Sequence, residues 1–160
     1  MKTTMRMQAS IWVIALAMIA TMFAATPILA DDAAKGIAVA LAVSGDVQYE
    51  RGGKLADLPK LTVFNAGDKV FTGEDGFCAV VFTDDKSQLK IRPSSEVVLG
   101  AERNNDYSLA KKVGLEAGEL FTEVTQMKGS LQIATPTAVA SVKGTEFWVI
   151  YQDGTTRNIT

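Results

Sequence analysis

From residue 37 onward, hydrophobic positions come in short runs of Val, Ile, Leu, Phe and Thr, punctuated by Gly and Asp about every eight to twelve residues. Helical periodicity is weak there, so the runs predict strands at 37–43, 46–49, 69–72, 77–82, 87–91, 96–99, 113–116, 119–124, 130–134, 138–142 and 147–151. The expected fold is all-β, a compact antiparallel roll or sandwich of about ten short strands. Turn chemistry agrees. Gly52 and Gly53 can take positive φ, Asp153-Gly154 is a two-residue hairpin signal, and Glu74-Asp75-Gly76 and Asp84-Asp85-Lys86 are polar breaks. Pro93 falls between two predicted strands, where its missing N–H costs no ladder bond. The run 77–82 is apolar on both alternating faces, which predicts a strand covered on both sides. Residues 100–112 form the most polar long connection, the kind of segment that carries a variable or binding surface.

The first thirty residues have a different pattern. Lys2 and Arg6 precede an uncharged stretch from Ala9 to Ala30 whose apolar core spans 11–20, the order of a secretory signal helix. Small Ala30 after Pro27, followed by charged Asp31, predicts cleavage between Ala30 and Asp31. The predicted organisation is a signal peptide over 1–30, a short tether over 31–36 and one domain over 37–160, periplasmic or secreted from a bacterial cell. If the segment is not cut, its 22 uncharged residues reach the ~20 needed to span a bilayer, and the domain stays membrane-tethered.

Charge and composition narrow the chemistry. Without Lys2 and Arg6, the 16 basic residues fall to 14 against 18 acidic ones. That mild acidity excludes a sequence-independent nucleic-acid binder. Lys111-Lys112, the one adjacent basic pair after residue 30, reads as a solvated loop. There is no histidine, so Ser-His-Asp and Cys-His nucleophilic sites and imidazole metal sites cannot be assembled. Cys78 is the sole cysteine, cannot form an internal disulfide, and alternates with Val80 and Phe82 as a buried small residue would. No phosphate-cradling glycine loop is present, and the acidic turns lack EF-hand spacing. A carboxylate pair for glycoside hydrolysis is the remaining enzyme class, but the acidic residues fall at turns and alternate strand positions, where such side chains face water. Asn158-Ile159-Thr160 matches a glycosylation sequon. No catalytic residue, metal or cofactor is predicted.

Three segments carry a family likeness: VSGDVQYERGGKL with AGDKVFTGEDGFCAVVFTDDKSQLKI, within 43–91; LEAGELFTEV at 115–124; and TPTAVASVKGTEFWV at 135–149. They resemble the FecR-domain family of bacterial extracytoplasmic proteins. In the last segment Thr135, Pro136 and Thr137 open a strand edge, because Pro136 lacks a donor. Ala138, Ala140 and Val142 offer a small face for another layer, with Val139 between them. Gly144, Thr145 and Glu146 read as a turn leading into Phe147. These positions read as architecture, with Glu146 the one to test for binding.

The resemblance implies a sensing domain, since its best-known members relay a signal from an outer-membrane transporter to a sigma factor. Only Met1 to Ser10 precede the apolar run, so a membrane-spanning regulator with a cytoplasmic domain is not expected. The expected function is a non-catalytic envelope module that binds or senses. Its partner would be another envelope protein, or a second copy through the C-terminal strand. The apolar run 147–151 wants cover on its faces and edge, from a partner strand or from a longer protein. Tyr107, Trp148 and Ile150 are the candidate interaction surface. The alternative is a carbohydrate-binding or envelope-structural protein using the loop 100–112 and Tyr107.

Overall fold

The computed structural model describes residues 36–142 and 145–159, with the side chain of Thr145 left out. The signal helix, the Ala30–Asp31 cleavage site, the tether up to residue 35 and Gly144 lie outside the described residues. Every regular element among those described is a strand. They run β1 (Ala38–Ser44), β2 (Val47–Arg51), β3 (Lys54–Asp57), β4 (Val63–Phe64), β5 (Asp68–Thr72), β6 (Phe77–Phe82), β7 (Gln88–Ile91), β8 (Ser95–Arg103), β9 (Leu109–Val124), β10 (Ser130–Thr135), β11 (Ala138–Val142), β12 (Thr145–Gln152) and β13 (Thr155–Ile159).

The all-β expectation holds, with two sheets that share one long strand. Sheet A runs β4-β1-β6-β7-β9-β12-β13. Sheet B runs β3-β2-β5-β8-β9-β10-β11. Strand β9 replaces two separate predicted strands at 113–116 and 119–124. Its first half lies between β8 and β10, and its second half between β7 and β12. All pairings are antiparallel except β9 with β10, which is parallel.

Gly118 makes the change of sheet possible. Its φ is +93°, and a Cβ there would fall against the Ser94 carbonyl and Ser95. Just before it, Leu115 and Ala117 lie opposite the adjacent Val97 and Glu96, so Glu116 is an extra residue that shifts side-chain phase along β9, as a bulge must. Before it, Leu109, Lys111, Val113 and Leu115 point inward; after it, Leu120, Thr122 and Val124 do. One contiguous core results, filled from sheet A by Cys78, Val80, Phe82, Leu89 and Leu120 and from sheet B by Val70, Val97, Leu99, Leu131 and Ile133. At the open side, the β10–β11 and β12–β13 hairpins are joined by hydroxyls: Thr135 Oγ1 and Thr137 Oγ1 lie 2.6 and 2.7 Å from Thr156 Oγ1.

Four expectations are corrected. Residues 100–112 are not a long loop but the ends of β8 and β9 around a short turn at 104–108. In that turn Asn104 Nδ2 donates to Ser108 Oγ, and Asp106 accepts from Ser108. Thr145 and Glu146 are ladder positions opposite Val124 and Glu123, not turn residues. The tail 155–159 is a strand that pairs with β12 and covers the edge expected to be bare. Strands β3 and β4 were also unforeseen, because four exposed residues and a two-residue pairing leave no alternation to read.

Candidate functional site

Two clusters depart from ordinary placement: charges inside the core and aromatics on the surface. The first contradicts the reading of Lys111 as a solvated lysine and of the Asp84-Asp85 turn as water-facing, while Glu74 and Asp75 are exposed as expected. Lys111 is fully buried by the inward phase of β9. Its Nζ donates to Asp84 Oδ2 at 2.9 Å, Asp85 Oδ2 at 2.6 Å and the Lys128 carbonyl at 3.0 Å, which uses all three of its protons. The ammonium also sits 5.5 Å from the Phe82 ring centroid.

Asp85 further accepts from the Ser87 N–H at 2.9 Å and the Lys128 N–H at 3.0 Å. Burial alone would raise its carboxyl pKa, but the hydrogen bonds from Lys111, Ser87 and Lys128 together outweigh that and hold it below the ordinary range. Asp84 accepts from the Leu109 N–H at 2.9 Å through Oδ2, while its Oδ1 is buried and has no donor among the described residues. The cluster ties the β6–β7 turn, the start of β9 and the entry to β10 together. It is closed to solvent. Elsewhere, Asp68 is buried beneath Arg51, whose guanidinium donates to it at 2.6–3.1 Å and whose own pKa is raised by those bonds.

Among the described residues no catalytic candidate emerges. Cys78 is fully buried, and burial pushes its thiol up to about 12, so no reactive thiolate forms near neutral pH. Among the described residues no group of three or more His, Cys, Asp or Glu is placed to hold a metal ion.

The second cluster lies on the outer face of sheet A, where register brings side chains from four strands into three rows. The central row reads Lys90, Phe121, Trp148 and Ile159 across β7, β9, β12 and β13. The Phe121 and Trp148 rings are 4.6 Å apart and tilted by 50°, and Lys90 Nζ lies 5.1 Å from the Phe121 centroid. On one flank are Gln88, Glu123 and Glu146. On the other are Glu119, Ile150 and Arg157, with Arg92 just past β7 donating its N–H to the Glu119 carbonyl.

Glu146 faces Glu123 directly across the ladder, an unfavourable like-charge pair. Lys90 answers only Glu123, at 2.9 Å, and among the described residues no cation pairs with Glu146. Val39, Leu41 and Val81 continue the face into a shallow groove beside Gln88.

This arrangement brings together three residues singled out in the sequence: Glu146, Trp148 and Ile150. Phe147 points the other way, onto the core with Tyr151. Tyr107 is exposed in the β8–β9 turn on sheet B and takes no part in the row. Thr135, Pro136, Thr137, Ala138, Val139, Ala140 and Val142 form the β10–β11 hairpin, with Val142 in the core and Val139 68% exposed on the opposite face. Phe121 was missed, because in LEAGELFTEV it reads as one more core position unless the phase change at Glu116 is known.

A family model described as FecR protein matches residues 68–159, from the start of β5 to the end of β13 and more than half of the chain. No curated protein and no solved structure matches.

Proposed function

The chain belongs to the FecR protein family, a family found in sigma-factor regulators, and from that premise we propose that its β domain is a non-catalytic sensing module of the bacterial envelope. It engages a protein partner through the outer face of sheet A. The observation that carries this reading is the row of Phe121, Trp148 and Ile159 on the surface, bordered by charges, within the family-matched part of the chain. Half-exposed aromatics ringed by charge match the composition of interaction hot spots. The two rings are tilted against each other rather than laid out as a flat platform. That geometry suits insertion into a protein groove better than stacking on a sugar.

The export-type N-terminus supports an envelope location. The test is site-specific photo-crosslinking in intact cells that carry the protein. A photoreactive residue at Ile150 is expected to give a discrete adduct of higher mass, and one at Val139, on the outer face of sheet B, none. Equal labelling at the two positions would sink the reading.

A further inference from the structure

We infer that the buried charge cluster is the site of an intramolecular isopeptide bond, which joins Lys111 Nζ to the side-chain carbonyl of Asp84 with loss of water. Three side chains there divide the roles that such a condensation needs: a nucleophile, an acyl group and a base.

Lys111 is the nucleophile. Its side chain and those of Asp84 and Asp85 are 0%, 2% and 0% exposed, so the amine meets the carboxyls without competing water. Nζ touches Asp84 Oδ2 at 2.9 Å, which sets it close to the near-attack range of about 3–3.5 Å from the carboxyl carbon. The two carboxyls are not equivalent. Asp85 accepts a backbone N–H on each oxygen, from Ser87 on Oδ1 and from Lys128 on Oδ2, so losing either oxygen would orphan a buried donor. Asp84 is held through Oδ2 alone, by the Leu109 N–H and Lys111, while its buried Oδ1 has no donor among the described residues. Oδ1 is therefore the oxygen whose departure breaks no hydrogen bond. Unheld there, the carboxyl can turn about Oδ2 and present its face to the amine.

In the step, Nζ gives one proton to Asp85 Oδ2, 2.6 Å away, and attacks Asp84 Cγ. The Nζ–Cγ bond forms while the Leu109 N–H steadies the charge on Oδ2. The Cγ–Oδ1 bond then breaks. Oδ1 leaves as water with two of the three ammonium protons, one of them returned by Asp85, and the third stays on the amide nitrogen. Nothing is oxidised or reduced. The product exchanges a buried ion pair for a neutral amide, whose burial costs far less. It ties the β6–β7 turn to the start of β9 in a chain whose single cysteine allows no internal disulfide.

The experiment is a tryptic digest of the full chain, purified folded from cells, read by mass spectrometry. Residues 70–86 and 104–112 are expected as one joined species, because trypsin does not cut at an acylated Lys111. Its mass should be the sum of the two peptides less one water, with fragment ions placing the bridge on Asp84. Asp85→Ala, checked as folded by circular dichroism, should lower the joined fraction about a hundredfold by removing the base. Separate peptides 70–86 and 104–111 from the wild-type protein overturn the inference. So does a bridge on Asp85, or an undiminished joined fraction in Asp85→Ala. The wild-type digest decides the bond whether or not that variant folds.

Discussion

Lys111 and Phe121 lie on the same strand at odd-numbered positions, yet the lysine is in the core and the phenylalanine is on the surface. Hydropathy predicts the reverse. The bulge at Glu116, just before Gly118, turns the phase of β9, so odd positions face inward before it and outward after it. Register, not side-chain polarity, decides which residues a strand buries. The two regions then have opposite energetic roles. The buried ammonium has all its protons bonded, and its cluster holds three segments together. The half-exposed aromatic row adds less to folding and is available for association.

The largest expected effect comes from breaking the buried side of this comparison. Lys111→Ala leaves Asp84 and Asp85 as uncompensated buried charges and should cost about 3–5 kcal/mol in urea unfolding. A loss below about 1 kcal/mol would mean the cluster is wetter than its burial indicates. Gly118→Ala attacks the hinge of the comparison itself. Positive φ and the collision with the Ser94 carbonyl should cost about 1–3 kcal/mol. It should also perturb Trp148 fluorescence, because Gly118 pairs with Tyr151 of β12, three residues from Trp148.

Acid should weaken the buried region. The Asp85 carboxyl is held below its ordinary value in the folded state, so its contribution is present above the unfolded pKa of about 4 and is lost as pH falls through the folded one. The urea midpoint is expected to fall between pH 5 and pH 3, with a shallower fall in Asp85→Asn; identical slopes in the two proteins would contradict this. The smallest effect on folding should follow Trp148→Ala, about 1 kcal/mol or less for a half-exposed ring stacked on one neighbour.

Much of the fold was legible in period-two alternation. Cys78/Val80/Phe82 and the pairs Leu131/Ile133 and Val97/Leu99 announce strands with a buried face, and the structure buries those residues, whereas Phe77 and Val81 are only half-buried, so the expected cover on both faces of 77–82 is incomplete. Strand β13 was not legible, because Thr155–Ile159 has no apolar alternation and is ordered by its ladder with β12. The parallel pairing of β9 with β10 depends on which distant segment lies alongside, which no local pattern encodes. Within the site, Trp148 and Ile150 could be assigned to one face by their alternation with Phe147 and Val149. The burial of Lys111 was also written in the sequence, in phase with Leu109, Val113 and Leu115, but its charge argued for solvent.

The central claim is that the aromatic row serves association and not folding, and the Phe121→Ala/Trp148→Ala double variant tests it most directly. Its crosslinking through a photoreactive residue at Ile150 should be measured in cells, beside its urea unfolding. The account predicts at least about a tenfold loss of adduct, with stability retained to within about 2 kcal/mol. Undiminished crosslinking in a variant that has lost both rings would contradict it.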